Sequence, residues 1–531
     1  MVKQLINYLY KPFKDTFVLF LSIVFLLSFP DAWFYYKAYK AITYSIYIIL
    51  QATIVSYVIC LLLSLVSNKT IFNILKFIVL FFCYILFVFD FVCVFQHDVR
   101  FNADFLSLML ETNIKETKEF FLTFATDNNI KYYLCIIILF AIVFGGNIHY
   151  KKLPNIFGQL GLVIIGCCCV LCYHNKSVWK DGFLHKLKSI YSYQKIDLTD
   201  YLTHPDINYI PDKRPANIVL IIGESLSKFH CSLYGYHLQT NPLLETLTDS
   251  SLYVFNNVSS AAIHTQKSFK YMMSTYSVED EGKSEWFAHI TLPEIINLAG
   301  YKTHWLSNQA RGGNSTINSY VNLFHDFFYN GDQYSGDERK TFDGDLIKIA
   351  SSVLKENKDS LNFYVFHLMG SHFQFHLRYP KEFEKFTTGN YINEKENQRE
   401  RLATYDNSVL YNDYVVYHIM NLFKNKEAII LYLSDHGLDV FYTDDNYAAH
   451  AKMNNPESIK YGVAIPFMIY TSSLYNQKYP EKIKAIKSSL NQKYRTDSLI
   501  YTIMDIAGIL KINDKNILSK SILNEKSQNN D

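Results

Sequence analysis

Long apolar runs fill the first third of the chain, and short ones punctuate the rest. Five runs, at 16–35, 41–66, 71–95, 132–148 and 157–173, carry few charges and are long enough to cross a bilayer as helices. Lys3, Lys11 and Lys14 precede the first run, and no small-residue cleavage site follows it. It therefore reads as a retained helix rather than a signal peptide. With the N-terminus inside, the inner loops carry Lys69 and Lys151-Lys152, while the long outer loop 97–129 mixes both signs. That agrees with the positive-inside rule. Five crossings then put everything after about residue 174 outside the cytoplasm.

Within the outer loop, Phe105, Met109, Thr112, Glu116 and Phe120 recur at steps of three or four. The spacing predicts one stripe on an amphipathic helix near 101–121, with Thr112 and Glu116 adjacent on it. Such a helix either lies on the membrane surface or helps to hold a lipid headgroup. Residues 174–214 read as a connector. From there the pattern changes to short β-rich runs at 218–222, 253–256, 303–306, 363–367, 428–433 and 466–470. Helical stretches fall between and after them at 292–299, 344–355, 405–423 and 497–507. Strand alternating with helix predicts an α/β domain, over 215–531, whose mixed sheet is covered by helices on both faces. Functional groups in such a sheet gather at the carboxyl ends of its strands. Glu224, Asn308, His372 and Asp435 each follow a strand run by a few residues.

Composition narrows the picture. Lys plus Arg number 51 against 49 Asp plus Glu, so no strongly basic surface argues for nucleic acid. Of nine cysteines, only Cys231 lies after residue 173, so the outer domain holds no internal disulfide. The run Cys167-Cys168-Cys169 with Cys172 sits in an apolar stretch and reads as small buried hydrophobes rather than as a metal site.

The candidate chemistry is in the second half. Gly223-Glu224-Ser225 and Ser434-Asp435-His436-Gly437 each end an apolar strand run. Two carboxylates and an imidazole suit a zinc ion; as isolated motifs they are equally turn or capping residues. A nearby hydroxyl would be the nucleophile of metal-assisted phosphoryl transfer. Thr265, Ser259, Ser260 and Ser268 all offer one, and the residues alone do not choose among them. His372 and His450 can donate protons or screen phosphate charge, or sit on the surface. Asn308 and Arg311 suit a phosphate or headgroup, or a turn.

Taken together, these segments resemble the membrane-bound phosphoethanolamine transferases of the sulfatase branch of the alkaline-phosphatase superfamily. The likeness is carried by 217–225 (ending in Gly223-Glu224-Ser225), Leu233-Tyr234-Gly235-Tyr236, Thr240-Asn241-Pro242, Trp305-Leu306-Ser307-Asn308-Gln309, 367–372, Tyr405-Asp406-Asn407 with Tyr411-Asn412-Asp413, and Ser434-Asp435-His436-Gly437. The resemblance implies a five-helix transmembrane bundle over 1–173 and a periplasmic catalytic domain, in the inner membrane of a bacterium. It implies Glu224, Asp435, His436 and Thr265 as ligands of Zn2+ (Mn2+ being the alternative). It singles out Thr265 as nucleophile, because that residue stands nine before Ser274 as the family threonine stands before its serine. His372, His450, Asn308, Thr112 and Glu116 match substrate-binding positions. The implied reaction moves phosphoethanolamine from phosphatidylethanolamine to an envelope acceptor: lipid A (a lipopolysaccharide modification), a core sugar, a glycan or a protein. A phosphoglycerol transferase of the lipoteichoic-acid-synthase type, using phosphatidylglycerol, is the alternative. The chain departs from the disulfide-rich, lipid A-modifying members: it has Phe269-Lys270-Tyr271 after the threonine and Leu438 after the Asp-His-Gly motif. It fits better the disulfide-free branch.

Overall fold

A computed structural model describes residues 8–97, 100–101, 127–148, 154–174, 187, 196–311, 316–331, 341–357, 360–445, 448–452 and 455–524. The chain divides into two compact units, Met1–Gln194 and Lys195–Asp531.

The first unit contains helices α1 (Phe17–Tyr39), α2 (Ile42–Leu63), α3 (Lys69–His97), α4 (Asp127–Ile148) and α5 (Asn155–His174), at the places the apolar runs predict. Among the described residues, three stretches are long and apolar enough to cross a membrane: Phe17–Lys37, Ile42–Leu63 and Lys69–Phe95. The apolar parts of α4 and α5 are shorter, Leu134–Asn147 and Gly158–Tyr173. Ile23, Leu26, Leu27, Cys60, Leu80 and Phe87 form the centre of this unit. Its buried hydroxyls bond to carbonyls, Ser56 donating to Phe20 O at 2.8 Å and Ser45 to Ala32 O at 2.8 Å. That satisfies groups which lipid could not. The helix expected near 101–121, with Thr112 and Glu116, lies outside the described residues apart from Phe101.

The second unit is built on a seven-stranded mixed sheet. Its strands are β1 (Asn217–Gly223), β2 (Leu252–Val254), β3 (Lys302–Ser307), β4 (Asp326–Tyr329), β5 (Asn362–His367), β6 (Ala428–Ser434) and β7 (Phe467–Thr471). Their order is β2-β7-β6-β1-β5-β3-β4. Strand β1 lies at the centre, parallel to both β5 and β6, while β7 is antiparallel to β6 and to β2. Side chains of β1 alternate between two cores. Ile218, Leu220 and Ile222 join the core that includes Ile500 and Ile503. Val219 and Ile221 join the one that includes Leu346, Val415 and Ile419. Period-two alternation with both faces apolar is the signature of a strand sandwiched between helices. The six strand runs of the sequence all appear. Strand β4 was not expected: its apolar run, Phe327-Phe328-Tyr329, is only three residues long, and two of its four residues are exposed. The helix expected at 405–423 already begins at Glu396, since its charged first turns lack an apolar stripe.

Candidate metal centre

Strands β1 and β6 run side by side with Gly223 opposite Ser434. The next residue on each, Glu224 and Asp435, therefore leaves the same edge of the sheet. The amide of Asp435 donates to Gly223 O at 3.0 Å. Asp435 Oδ1 accepts from the amides of Ser225 (3.1 Å) and His436 (2.7 Å), tying the two strand ends together. Ser225 has φ of 57°, a left-handed conformation unusual for serine. Tyr405 holds it there: its hydroxyl donates to Ser225 O at 3.0 Å and accepts from the Ser227 amide at 2.9 Å.

Glu224, Asp435 and His436 are buried, and each offers one ligand atom within 4.8 Å of the others. His436 Nδ1 lies 2.8 Å from Gly437 O, which can only accept. The neutral ring thus carries its proton on Nδ1 and leaves the Nε2 lone pair facing Glu224 Oε1 (3.3 Å) and Asp435 Oδ2 (3.5 Å). Asp435 Oδ2 is buried without a hydrogen-bond partner. An orphaned carboxylate oxygen beside a second carboxylate and a free imidazole nitrogen is a donor set that fits a divalent cation, zinc above all. Burial and the Glu224 charge push Asp435 up to about 8. Burial opposes a charge on His436, but the Asp435 and Glu224 carboxylates outweigh it and raise the ring to about 9. Glu224 is shifted the other way: despite its burial, His436 holds it well below the usual carboxylate range.

Thr265 is the first residue of helix α6 (Thr265–Met272). Its Oγ1 lies 3.2 and 3.3 Å from the two Glu224 oxygens and 3.3 Å from His436 Nε2. The competing hydroxyls are engaged elsewhere. Ser260 Oγ donates to Asp435 O at 2.5 Å and sits 3.2 Å from Ser268 Oγ, bracing this loop against β6. Ser259 faces Tyr494 O.

His372 Nδ1 is buried with no hydrogen-bond partner. The His450 ring lies 4.7 Å from that of His436, tilted by 39°; burial first, then the neighbouring His436 and His264, hold it well below its ordinary value. His264 lies 5.1 Å from His450 on the other side. Sequence reasoning missed it, although its place next to Thr265 was the available signal. Asn308 is only 3% exposed, and both ends of its amide are taken. Nδ2 donates to Asp343 at 2.9 Å, and Oδ1 accepts from Asn330 at 2.8 Å. Arg311 donates to Asn322. Thr112 and Glu116 are outside the described residues.

A mixed sheet bearing such a cluster at its strand ends defines an alkaline-phosphatase-like domain. A family model described as Sulfatase matches residues 216–509, more than half of the chain, and the chain belongs to that family. Phosphoethanolamine transferase EptC of Escherichia coli strain K12 is 31% identical over 309 residues, 56% of this chain and 51% of that protein. The chain thus spans about half the length of the curated relatives it matches. The crystal structure of the C-terminal periplasmic domain of EcEptC from Escherichia coli, in complex with Zn, superposes with a TM-score of 0.56 at 27% identity, covering 61% of this chain and 91% of that one. The integral membrane lipooligosaccharide phosphoethanolamine transferase A from Neisseria meningitidis reaches a TM-score of 0.64 over 97% of both chains at 20% identity, a likeness of fold.

Proposed function

We propose that the chain is an inner-membrane phosphoethanolamine transferase that works through a covalent threonine intermediate. In this reading residues 1–173 are a five-helix transmembrane domain, 174–214 a connector and 215–531 a periplasmic catalytic domain. The observation that carries the proposal is the seat of Thr265 Oγ1, within 3.3 Å of a carboxylate and an imidazole and at a helix N-terminus. A helix start favours a phosphate anion beside that oxygen. The relatives named phosphoethanolamine transferase and the zinc complex of the EcEptC domain support the same assignment.

Glu224, Asp435 and His436, with Thr265, would hold Zn2+. When bound, that ion supplies a Lewis acid that lowers the pKa of the hydroxyl and offsets phosphate charge. Thr265 Oγ1, as the alkoxide that the bound ion would stabilise, attacks the phosphorus of phosphatidylethanolamine. The bond from phosphorus to the glycerol oxygen breaks, and His372 or His450 protonates that oxygen so that diacylglycerol departs. Phosphoethanolamine remains esterified to Thr265. An envelope hydroxyl or phosphate then attacks the same phosphorus, passes its proton to the histidine and restores Thr265. The acceptor is an envelope molecule such as lipopolysaccharide, a glycan or a protein. Asn308 acts in this scheme as a brace behind the site, and Thr112 and Glu116 as headgroup contacts.

Purified protein incubated with vesicles of phosphatidylethanolamine and phosphatidylglycerol is expected to carry phosphoethanolamine on Thr265 by mass spectrometry. Thr265→Ala should abolish both the adduct and transfer while leaving the fold intact. Phosphoglycerol on Thr265 would move the chain to the alternative donor, and an active Thr265→Ala protein would sink the nucleophile.

A further inference from the structure

The segment from Met369 to Phe373, which follows β5 and carries His372, is gripped from both sides. Asp343 takes the amides on one side: its Oδ1 accepts from Met369 N at 2.8 Å and its Oδ2 from Gly370 N at 2.9 Å. Asn308 Nδ2 locks the same carboxylate at 2.9 Å, and Asn330 locks Asn308. Arg378 takes the carbonyls on the other side. Its Nε donates to His372 O at 3.2 Å and Phe373 O at 3.1 Å, and its Nη2 to Phe373 O at 2.8 Å. Both residues are buried, 3% and 6% exposed. Between the two grips, the Ser371 amide donates to Glu224 O at 2.9 Å and Ser371 Oγ accepts from Ser408 at 2.9 Å. The only side-chain polar atom of this segment left buried without a partner, among the described residues, is His372 Nδ1. A buried carboxylate and a buried guanidinium are costly to place. Here both are aimed at the backbone of one five-residue stretch whose histidine is close enough to act electrostatically on Glu224 and His450.

We infer that Asp343 and Arg378 are positioning residues that act through His372, clamping its backbone so that the imidazole meets the transferring phosphate. Neither touches the reacting atoms, and neither was singled out by its sequence context. The inference rests on the transfer reading above and gives His372 the part of proton donor to the leaving oxygen. Misplacing a catalytic group by about 1 Å costs on the order of 100-fold in rate. Asp343→Asn turns an acceptor into a donor that faces the N–H groups of Asn308, Met369 and Gly370.

The test is a double-mutant cycle on the full-length protein in detergent, with phosphatidylethanolamine as donor and the rate of adduct formation on Thr265 as readout. Zinc per chain and the unfolding midpoint are measured alongside. Asp343→Asn alone should slow the step by about 10- to 100-fold with zinc content unchanged. In a His372→Ala background the same substitution should cost less than about twofold, because the group it positions is gone. An equal loss in both backgrounds, or loss of zinc from the single variant, would overturn the inference. Should Asp343→Asn fail to accumulate folded, Arg378→Lys runs the same cycle from the carbonyl side, since lysine lacks the forked donor pair. A parent protein that forms no adduct counts against the transfer reading; adduct with an additive cycle counts against the clamp alone.

Discussion

Gly370 has φ of 50°, and a Cβ placed there would lie 2.7 Å from both the N and the O of Glu224. Glycine is required on two counts: the left-handed backbone, and the approach of one loop to the residue that heads the metal cluster. Gly370→Ala is expected to lower stability by about 1–3 kcal/mol and to weaken zinc retention, as read by denaturant unfolding and zinc stoichiometry. Protonation at the cluster has a sign of its own. With Asp435 raised to about 8 and His436 to about 9, the metal-free site holds protons at neutral pH. Zinc ligands must be deprotonated, so binding releases those protons, and apparent affinity rises with pH until about 9. Calorimetry of zinc uptake in buffers of differing ionisation enthalpy, at pH 7 and pH 9, checks this: proton release should be larger at pH 7.

At the scale of elements, most of the recurring polar motifs are braces rather than chemistry. Asp413 on helix α7 (Glu396–Leu422) accepts from the amides of Leu243 and Leu244 at 2.9 and 3.0 Å, capping the short turn that follows Asn241. Asp406, on the same helix, accepts from His230 Nδ1 at 2.6 Å and from the hydroxyls of Tyr236 and Tyr391. Tyr405 beside it holds the Ser225 turn. One helix thus fixes the loop that presents Glu224. Asp413→Ala should destabilise the protein by about 1–3 kcal/mol, because one buried and one part-buried amide lose their acceptor. Adduct formation per folded molecule should stay near that of the parent; a matching collapse of rate at unchanged stability would give Asp413 a chemical role instead.

At the scale of the whole molecule, the chain divides into an apolar helical unit and an α/β unit; under the proposed function the first would keep the second at the membrane that holds the lipid donor. All nine cysteines are free, and Cys231 alone falls in the second unit, buried, its thiol pushed well up by burial. The α/β unit is therefore held by its two cores and not by cross-links. A thiol reductant should leave both the unfolding midpoint and the rate of adduct formation unchanged; a drop in either would point to a cross-link between chains.

Sequence by itself determined whatever depends on neighbours along the chain. Apolar length marked the N-terminal helices, and short continuous β-rich runs marked six of the seven strands, because burial on both faces leaves a local imprint. The strand-end positions of Glu224 and Asp435 were legible for the same reason. Tertiary structure alone decided what depends on register between distant strands. Pairing Gly223 with Ser434 is what brings Glu224 against Asp435, 211 positions on, as their shared numbering shows. Only in three dimensions does Thr265 separate from Ser259, Ser260 and Ser268, and only there does Asn308 turn inward to Asp343 while His264 joins His450. A hydrogen bond needs an acceptor within about 3 Å, and nothing in local composition records which distant residue supplies it.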